Sequence, residues 1–188
     1  MLEIIYLAQV KAMVIPDLLI LTGYSIDSGD TGGAGTLTQF ASSLSNTLHI
    51  PVLTAFLESS PSLGECLRDA MIEYQPQRII ILPLFPGAST AQKSTLNQII
   101  DAAHDRWSEI AIHYGKPLGT HFGVIAAYQA LLTETLSDNT ISDTALLVIG
   151  SGNRDPDSNA AVYQMARLLY ETLSPDQINS LDVAFYRS

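Results

Sequence analysis

The chain has 188 residues and a mass of 20.3 kDa, which gives room for one domain or two minimal ones and excludes a large multi-domain machine. With 47% hydrophobic and only 15% charged residues it is no disordered segment. Nine Lys and Arg against nineteen Asp and Glu, a formal charge of -10, oppose the counterion-release binding that nucleic acids require. Its one cysteine, Cys66, can form neither an intramolecular disulfide nor a Cys-based zinc site, which is ordinary for a reducing compartment and sets the expectation of a cytoplasmic protein.

Residues 1–16 are apolar, but Glu3, Gln9 and Lys11 interrupt the run, and it falls short of the roughly 20 residues that a membrane helix needs. A charged leading segment is also missing. This N-terminal extension is expected to be a short helix or strand packed on the domain, with no membrane span.

From Asp17 onward, apolar runs of strand length alternate with amphipathic stretches, the pattern of a parallel sheet with crossover helices. Strands are predicted at Leu18 to Thr22, Val52 to Leu57, Arg78 to Phe85, Ile110 to Tyr114, Ala145 to Ile149 and Leu181 to Tyr186. Several lack the alternation of a half-exposed strand, so burial on both faces is expected. Helical spacing runs through Leu37, Phe40, Ala41, Leu44 and Leu48, and again through Leu63, Leu67, Ala70, Met71 and Tyr74. Ser62 and Glu65 have capping-box spacing at the start of the second of these. Further helices are predicted at about Thr95 to Trp107, His121 to Leu136 and Ser158 to Leu173.

The chain also resembles itself. Leu-Leu-Ile-Leu-Thr-Gly ending at Gly23 matches Leu-Leu-Val-Ile-Gly ending at Gly150, and Ala55-Phe56-Leu57-Glu58 matches Ala184-Phe185-Tyr186-Arg187, at separations of 127 and 129 residues. A first unit over 17–142 is therefore followed by a partial second unit over 143–188. The incomplete unit leaves a sheet edge and a helix face without partners, so it is expected to dock on the first unit, to exchange with another chain, or to belong to a chain that was cut.

Ligands of open parallel sheets bind outside the carboxyl ends of the strands. That rule directs attention to Gly23-Tyr24-Ser25, Glu58-Ser59-Ser60, residues 86–93 and residues 115–121, where loop and cap chemistry competes with any catalytic reading. Known motifs fail here on spacing. Gly150-Ser151-Gly152 lacks the third glycine of a dinucleotide loop, since Asp155 stands there, and Gly23-Tyr24-Ser25 lacks the last glycine of a nucleophile elbow, where Asp27 stands. Gly32-Gly33-Ala34-Gly35 lacks the Lys-Ser/Thr ending of a P-loop and is expected to be a flexible loop. Cys66 is expected to be an inert packing residue. His49, His104 and His113 read as solvated or core histidines.

Several separate segments together carry a family resemblance. Ala55-Phe56-Leu57-Glu58 with Pro61-Ser62-Leu63, then Pro83-Leu84-Phe85, Tyr114-Gly115-Lys116-Pro117-Leu118-Gly119-Thr120-His121, and Gly150-Ser151-Gly152-Asn153-Arg154-Asp155-Pro156 occur in order from about Leu18 to the end. The chain resembles the sirohydrochlorin cobalto/ferrochelatases, CbiX-like class II tetrapyrrole chelatases of siroheme and cobalamin biosynthesis. The resemblance implies a chelatase-like α/β fold, an open parallel sheet flanked by helices with a four-stranded first unit, and a cleft between paired units.

A chelatase holds a divalent metal beside a macrocycle and removes two pyrrole protons, so it needs basic, metal-competent groups. The resemblance implies two histidines and a carboxylate. The positions of the histidines are Tyr24, with Ser151 in the second copy, and Ala91; the carboxylate is Glu58, with Arg187 in the second copy. A phenol with a pKa of about 10 is a poor base at neutral pH. It is suited instead to hydrogen-bonding a carboxylate or to ligating an iron tetrapyrrole. His121 matches a family position and reads either as a helix cap or as a metal ligand.

The expected site therefore has Glu58 and Tyr24 as catalytic candidates and Glu58 and His121 as metal candidates. Gly23, Tyr24, Ser25, Ser89, Thr90, Ala91 and Lys93 are the candidates for tetrapyrrole contact. The leading reading is a degenerate relative that keeps a tetrapyrrole and metal cleft while cobalt or iron insertion is lost or reduced. Two alternatives stand beside it: an active chelatase (a lyase) using Glu58, Tyr24 and His121 or a partner-chain histidine, and a non-catalytic assembly module that forms a homodimer through the partial unit. Lys93, Lys116 and Arg154 make the loops locally positive despite the acidic total.

Overall fold

In the computed structural model, which describes residues 17–24, 31–85, 90–136, 144–152, 154–173 and 178–186, the elements run in chain order. They are β1 (Leu18–Gly23), α1 (Thr31–Leu48), β2 (Val52–Phe56), α2 (Leu63–Glu73), β3 (Arg78–Pro83), α3 (Thr90–Arg106), β4 (Ala111–Tyr114), α4 (Phe122–Leu136), β5 (Ala145–Ser151), α5 (Pro156–Thr172) and β6 (Ser180–Tyr186). The N-terminal extension, Ser25 and Ser89 lie outside the described residues.

β1 is almost wholly apolar because both of its edges and both of its faces are covered. It pairs in parallel with β2 on one side and β3 on the other, and β4 extends the sheet to the order β2-β1-β3-β4. One face carries the larger core: Leu18, Ile20, Ile79 and Ile81 pack against Leu63 and Leu67 of α2 and Leu96 and Ile100 of α3. On the other face Leu19 and Leu21 meet Ala41 of α1. Asp17 pins the entry to this sheet, since its carboxylate accepts the N–H groups of Gln77 and Arg78 at 2.8 and 3.0 Å and pairs with the Arg78 guanidinium at 3.2 Å. These bonds hold the Asp17 carboxyl below its ordinary range, so their stabilisation is present above that range and is lost as pH falls through the lowered value. The capping box of α2 is formed in both directions: the Glu65 N–H donates to Ser62 Oγ at 3.2 Å and the Ser62 N–H donates to Glu65 Oε2 at 2.8 Å.

Gly32, Gly33, Ala34 and Gly35 are no flexible loop but the first turns of α1. Each interior glycine costs a helix about 1 kcal/mol relative to alanine, but the stripe of Leu37, Ala41 and Leu44 that packs on the sheet outweighs that local preference.

The sequence repeat is also a structural one. β5 and β6 pair in parallel with Gly150 opposite Phe185, as Gly23 lies opposite Phe56 in the first unit. In both units a glycine lets the phenylalanine ring lie against the strand end. A Cβ on Gly23 would stand 2.9 Å from the Phe56 ring, and one on Gly150 would stand 3.4 Å from the Phe185 ring and 3.0 Å from Val162 of α5. α5 packs against α4, and Gln129 Nε2 donates to the Thr172 carbonyl at 2.8 Å across that contact. The second unit differs from the first in what covers it. Leu18 and Ile20 of β1 are fully buried beneath α2 and α3, whereas among the described residues their counterparts Ala145 and Leu147 have no such cover, and Leu147 and Ile149 are 55% and 61% exposed.

Thr22 is the one buried polar residue in this otherwise apolar strand, and its hydroxyl has no hydrogen-bond partner among the described residues. Thr22→Val preserves the shape and removes the unmet hydrogen-bonding group. It is expected to stabilise the fold by about 1 kcal/mol, read as a melting temperature about 2–4 °C higher.

Candidate functional site

Parallel pairing brings the carboxyl ends of β1, β2, β3 and β4 to one edge of the sheet. Hydrogen bonding between β1 and β2 continues past the strand ends. The Tyr24 carbonyl accepts the N–H groups of Leu57 at 3.1 Å and Glu58 at 3.0 Å, while the Gly23 carbonyl accepts the Leu57 N–H at 3.1 Å. Two residues far apart in sequence are thus fixed side by side. Tyr24 follows Leu18, Ile20 and Thr22 in the alternation of β1, which places it on the face covered by α2 and α3. There the Glu58 carboxylate and the side chain of Gln92, in the first turn of α3, lie near enough to its phenol to act on its ionisation.

The electrostatics of this trio follow from which group holds the proton. The Glu58 carboxylate, and partial burial after it, raise the Tyr24 pKa above its ordinary value of 10.0; the Gln92 amide opposes the shift by favouring the phenolate. At neutral pH the phenol therefore keeps its proton beside the carboxylate, and is not a base. In a spectrophotometric titration near 295 nm, Tyr24 is expected to ionise later than a free tyrosine, and Glu58→Gln to bring its midpoint down. Because the folded pKa is the raised one, the Tyr24–Glu58 contribution to stability is present below pH 10 and lost as pH rises through the folded value.

The candidate residues separate into groups. Gly23, Tyr24 and Glu58 come together, and Gly23 admits the Phe56 ring on the opposite face of the strand end, toward α1. Thr90 and Ala91 stand in the first turn of α3, just before Gln92, and the exposed Lys93 follows it. Ser25 and Ser89 lie outside the described residues. His121 is placed differently, beyond β4 and so at the edge of the sheet opposite β2. Its Nδ1 accepts the Gly123 N–H at 3.2 Å and its carbonyl accepts those of Val124 and Ile125, so it caps α4. With Nδ1 occupied, neutral His121 carries its proton on Nε2.

Among the described residues there is no group of three His, Cys, Asp or Glu side chains able to hold a metal ion, and Glu58 is the carboxylate at the Tyr24 site. No helix among the described residues is long and apolar enough to cross a membrane. Burial, with Asp69 nearby, pushes the Cys66 thiol up to about 11, which fits a packing residue within α2. The residue missed by sequence reasoning is Gln92. Its one signal was adjacency to Ala91, a position singled out on other grounds.

Three comparisons place these features among known proteins. The CbiX family model matches residues 28–135. Among curated relatives, a sirohydrochlorin cobaltochelatase of Priestia megaterium is 26% identical over 151 residues, covering 78% of this chain and 49% of its own length. A sirohydrochlorin ferrochelatase of the same organism is 27% identical over 139 residues, covering 73% of this chain and 52% of its own. The chain thus spans about half the length of these relatives. Among solved structures, SirB from Bacillus subtilis with Fe3+ superposes with a TM-score of 0.71 at 22% identity, over 89% of this chain and 64% of SirB. A cobalamin biosynthesis CbiX protein from Marinobacter aquaeolei VT8 superposes with a TM-score of 0.55 at 19% identity, over 65% of this chain and 98% of its own. At these identities the structural likeness establishes the fold.

Proposed function

Because the chain belongs to the CbiX family, whose model matches most of the first unit, we propose that it is a sirohydrochlorin chelatase-like protein that binds a tetrapyrrole at the carboxyl edge of the sheet while metal insertion is lost or strongly reduced. The observation that carries this reading is that the retained carboxylate, Glu58, is fixed by backbone hydrogen bonding beside a phenol, Tyr24, where the reaction calls for an imidazole. Metal insertion requires a group that accepts pyrrole protons and donors that hold the incoming cation. In this chain the retained carboxylate is set beside a phenol that keeps its own proton, and the capping bond of His121 commits one of its two nitrogens to α4. Titration of the protein with metal-free sirohydrochlorin tests the binding half of the proposal. A saturable change in the ring's absorbance is expected; an unchanged spectrum at ring excess counts against it.

A second reading, assembly with another copy of the chain, is favoured by the uncovered strip of Leu147 and Ile149 on the β5–β6 sheet. Native mass measurement over a concentration series is expected to show a dimer that Ile149→Lys dissociates, and a monomer at every concentration would remove this reading.

A further inference from the structure

Of the three lysines in the sequence, Lys93 and Lys116 line the same cleft at the carboxyl ends of β3 and β4. The chain has about twice as many acidic as basic residues, yet among the described residues no Asp or Glu lines this cleft. Neither lysine has an ion-pair partner among the described residues. Two lysines without an ion-pair partner on the walls of one cleft, in a protein of charge -10, make a local field of the opposite sign to the whole.

The walls of the cleft are built to a pattern. Phe85, Leu96 and Pro117 make an apolar floor, and the polar rim is completed by Tyr114, whose hydroxyl donates to Asn97 Oδ1 at 3.0 Å. That bond uses the amide oxygen of Asn97 and leaves its NH2 as a further donor. Lys116 is held in place by its neighbour: the Gly115 N–H donates to the Ile81 carbonyl at 2.9 Å, prolonging the β3–β4 pairing by one residue. The cleft measures about 230 Å³. This is less than the roughly 300 Å³ at which pockets begin to enclose a drug-sized ligand, so it fits a substituent and not a whole ring. Lys93 directly follows Gln92, so a single turn of α3 touches both Tyr24 and this cleft.

We propose that the Lys93–Lys116 cleft is an anion seat that takes a carboxylate arm of a planar ligand, fixing the orientation of the ring bound beside Tyr24 and Glu58. The location of the ring rests on the function proposed above; the preference for a carboxylate rests on the lysines and the apolar floor. Binding is measured by absorbance and fluorescence titration with an octacarboxylate porphyrin, a tetracationic porphyrin of the same ring, and benzene-1,3,5-tricarboxylate as a ringless carboxylate probe.

Lys93→Gln and Lys116→Gln are each expected to weaken the octacarboxylate porphyrin by about fivefold, and the double variant by about 25-fold, with a flatter dependence on salt than the native chain. The tetracationic porphyrin is expected to be indifferent to both changes. Equal affinity of the native chain and the double variant for the octacarboxylate ring, at every salt concentration, overturns the anion seat and leaves the proposed function standing. Lysine-dependent binding of benzene tricarboxylate with no porphyrin binding supports the seat and overturns the ring reading. Binding of neither probe overturns both.

Discussion

Replacing Tyr24 and Ala91 together by histidine is expected to raise the rate of cobalt insertion into sirohydrochlorin by about 100-fold over the native chain, the lower end of what a positioned acid–base group contributes. The structure explains why both changes are needed. Tyr24→His alone frees Glu58 of its phenol and sets one imidazole beside it, but a single imidazole and one carboxylate make a sparse donor set for a divalent cation. Position 91 lies in the turn of α3 that already reaches the pair through Gln92, so a second imidazole enters from an element in contact with the site. Insertion is followed by the absorbance change of the ring against a reaction without protein. A double variant that folds and binds the ring, yet inserts cobalt no faster than the native chain, would show that the missing imidazoles are not what limits the reaction.

Gly23→Val is expected to destabilise the fold by about 3 kcal/mol, through overpacking at the one point where strand and site meet. A Cβ there would come within 2.9 Å of two carbons of the Phe56 ring, a separation that side chains do not tolerate. Phe56 cannot withdraw freely, because it is buried and its N–H donates to the Pro61 carbonyl at 2.9 Å. Leu37 of α1 stands 3.8 Å from the same point and blocks the other side. Chemical denaturation measures the loss as a lower midpoint at unchanged slope. Gly35→Val, on α1 where a Cβ meets nothing within 4 Å, serves as the control for substitution of glycine as such.

Much of the fold could be read from β1. Its run of Leu and Ile without alternation required cover on both faces, and α1 on one side with α2 and α3 on the other supply it. The repeat at Gly23 and Gly150 was legible because each glycine meets a phenylalanine at a fixed register, a constraint that survives changes at neighbouring positions. The start of α1 was not legible. Local preference sets three glycines against a helix, and only the packing of residues further along decides the matter. At the site, the adjacency of Tyr24 and Glu58 followed from parallel pairing of β1 and β2. The reach of Gln92 did not, since it depends on where the first turn of α3 meets the sheet. His121 was balanced in sequence between cap and ligand; the bond from the Gly123 N–H to Nδ1 is a capping interaction that only the geometry of the helix start reveals.

Unit one, as it stands, is expected not to metallate a ring. The direct measurement is the absorbance of sirohydrochlorin incubated with the native protein and excess Co2+ or Fe2+, compared with the same mixture without protein and with Glu58→Gln. The prediction is a bound-ring spectrum that converts to the metallated form no faster than the protein-free control. Conversion well above that control, abolished by Glu58→Gln, would contradict it.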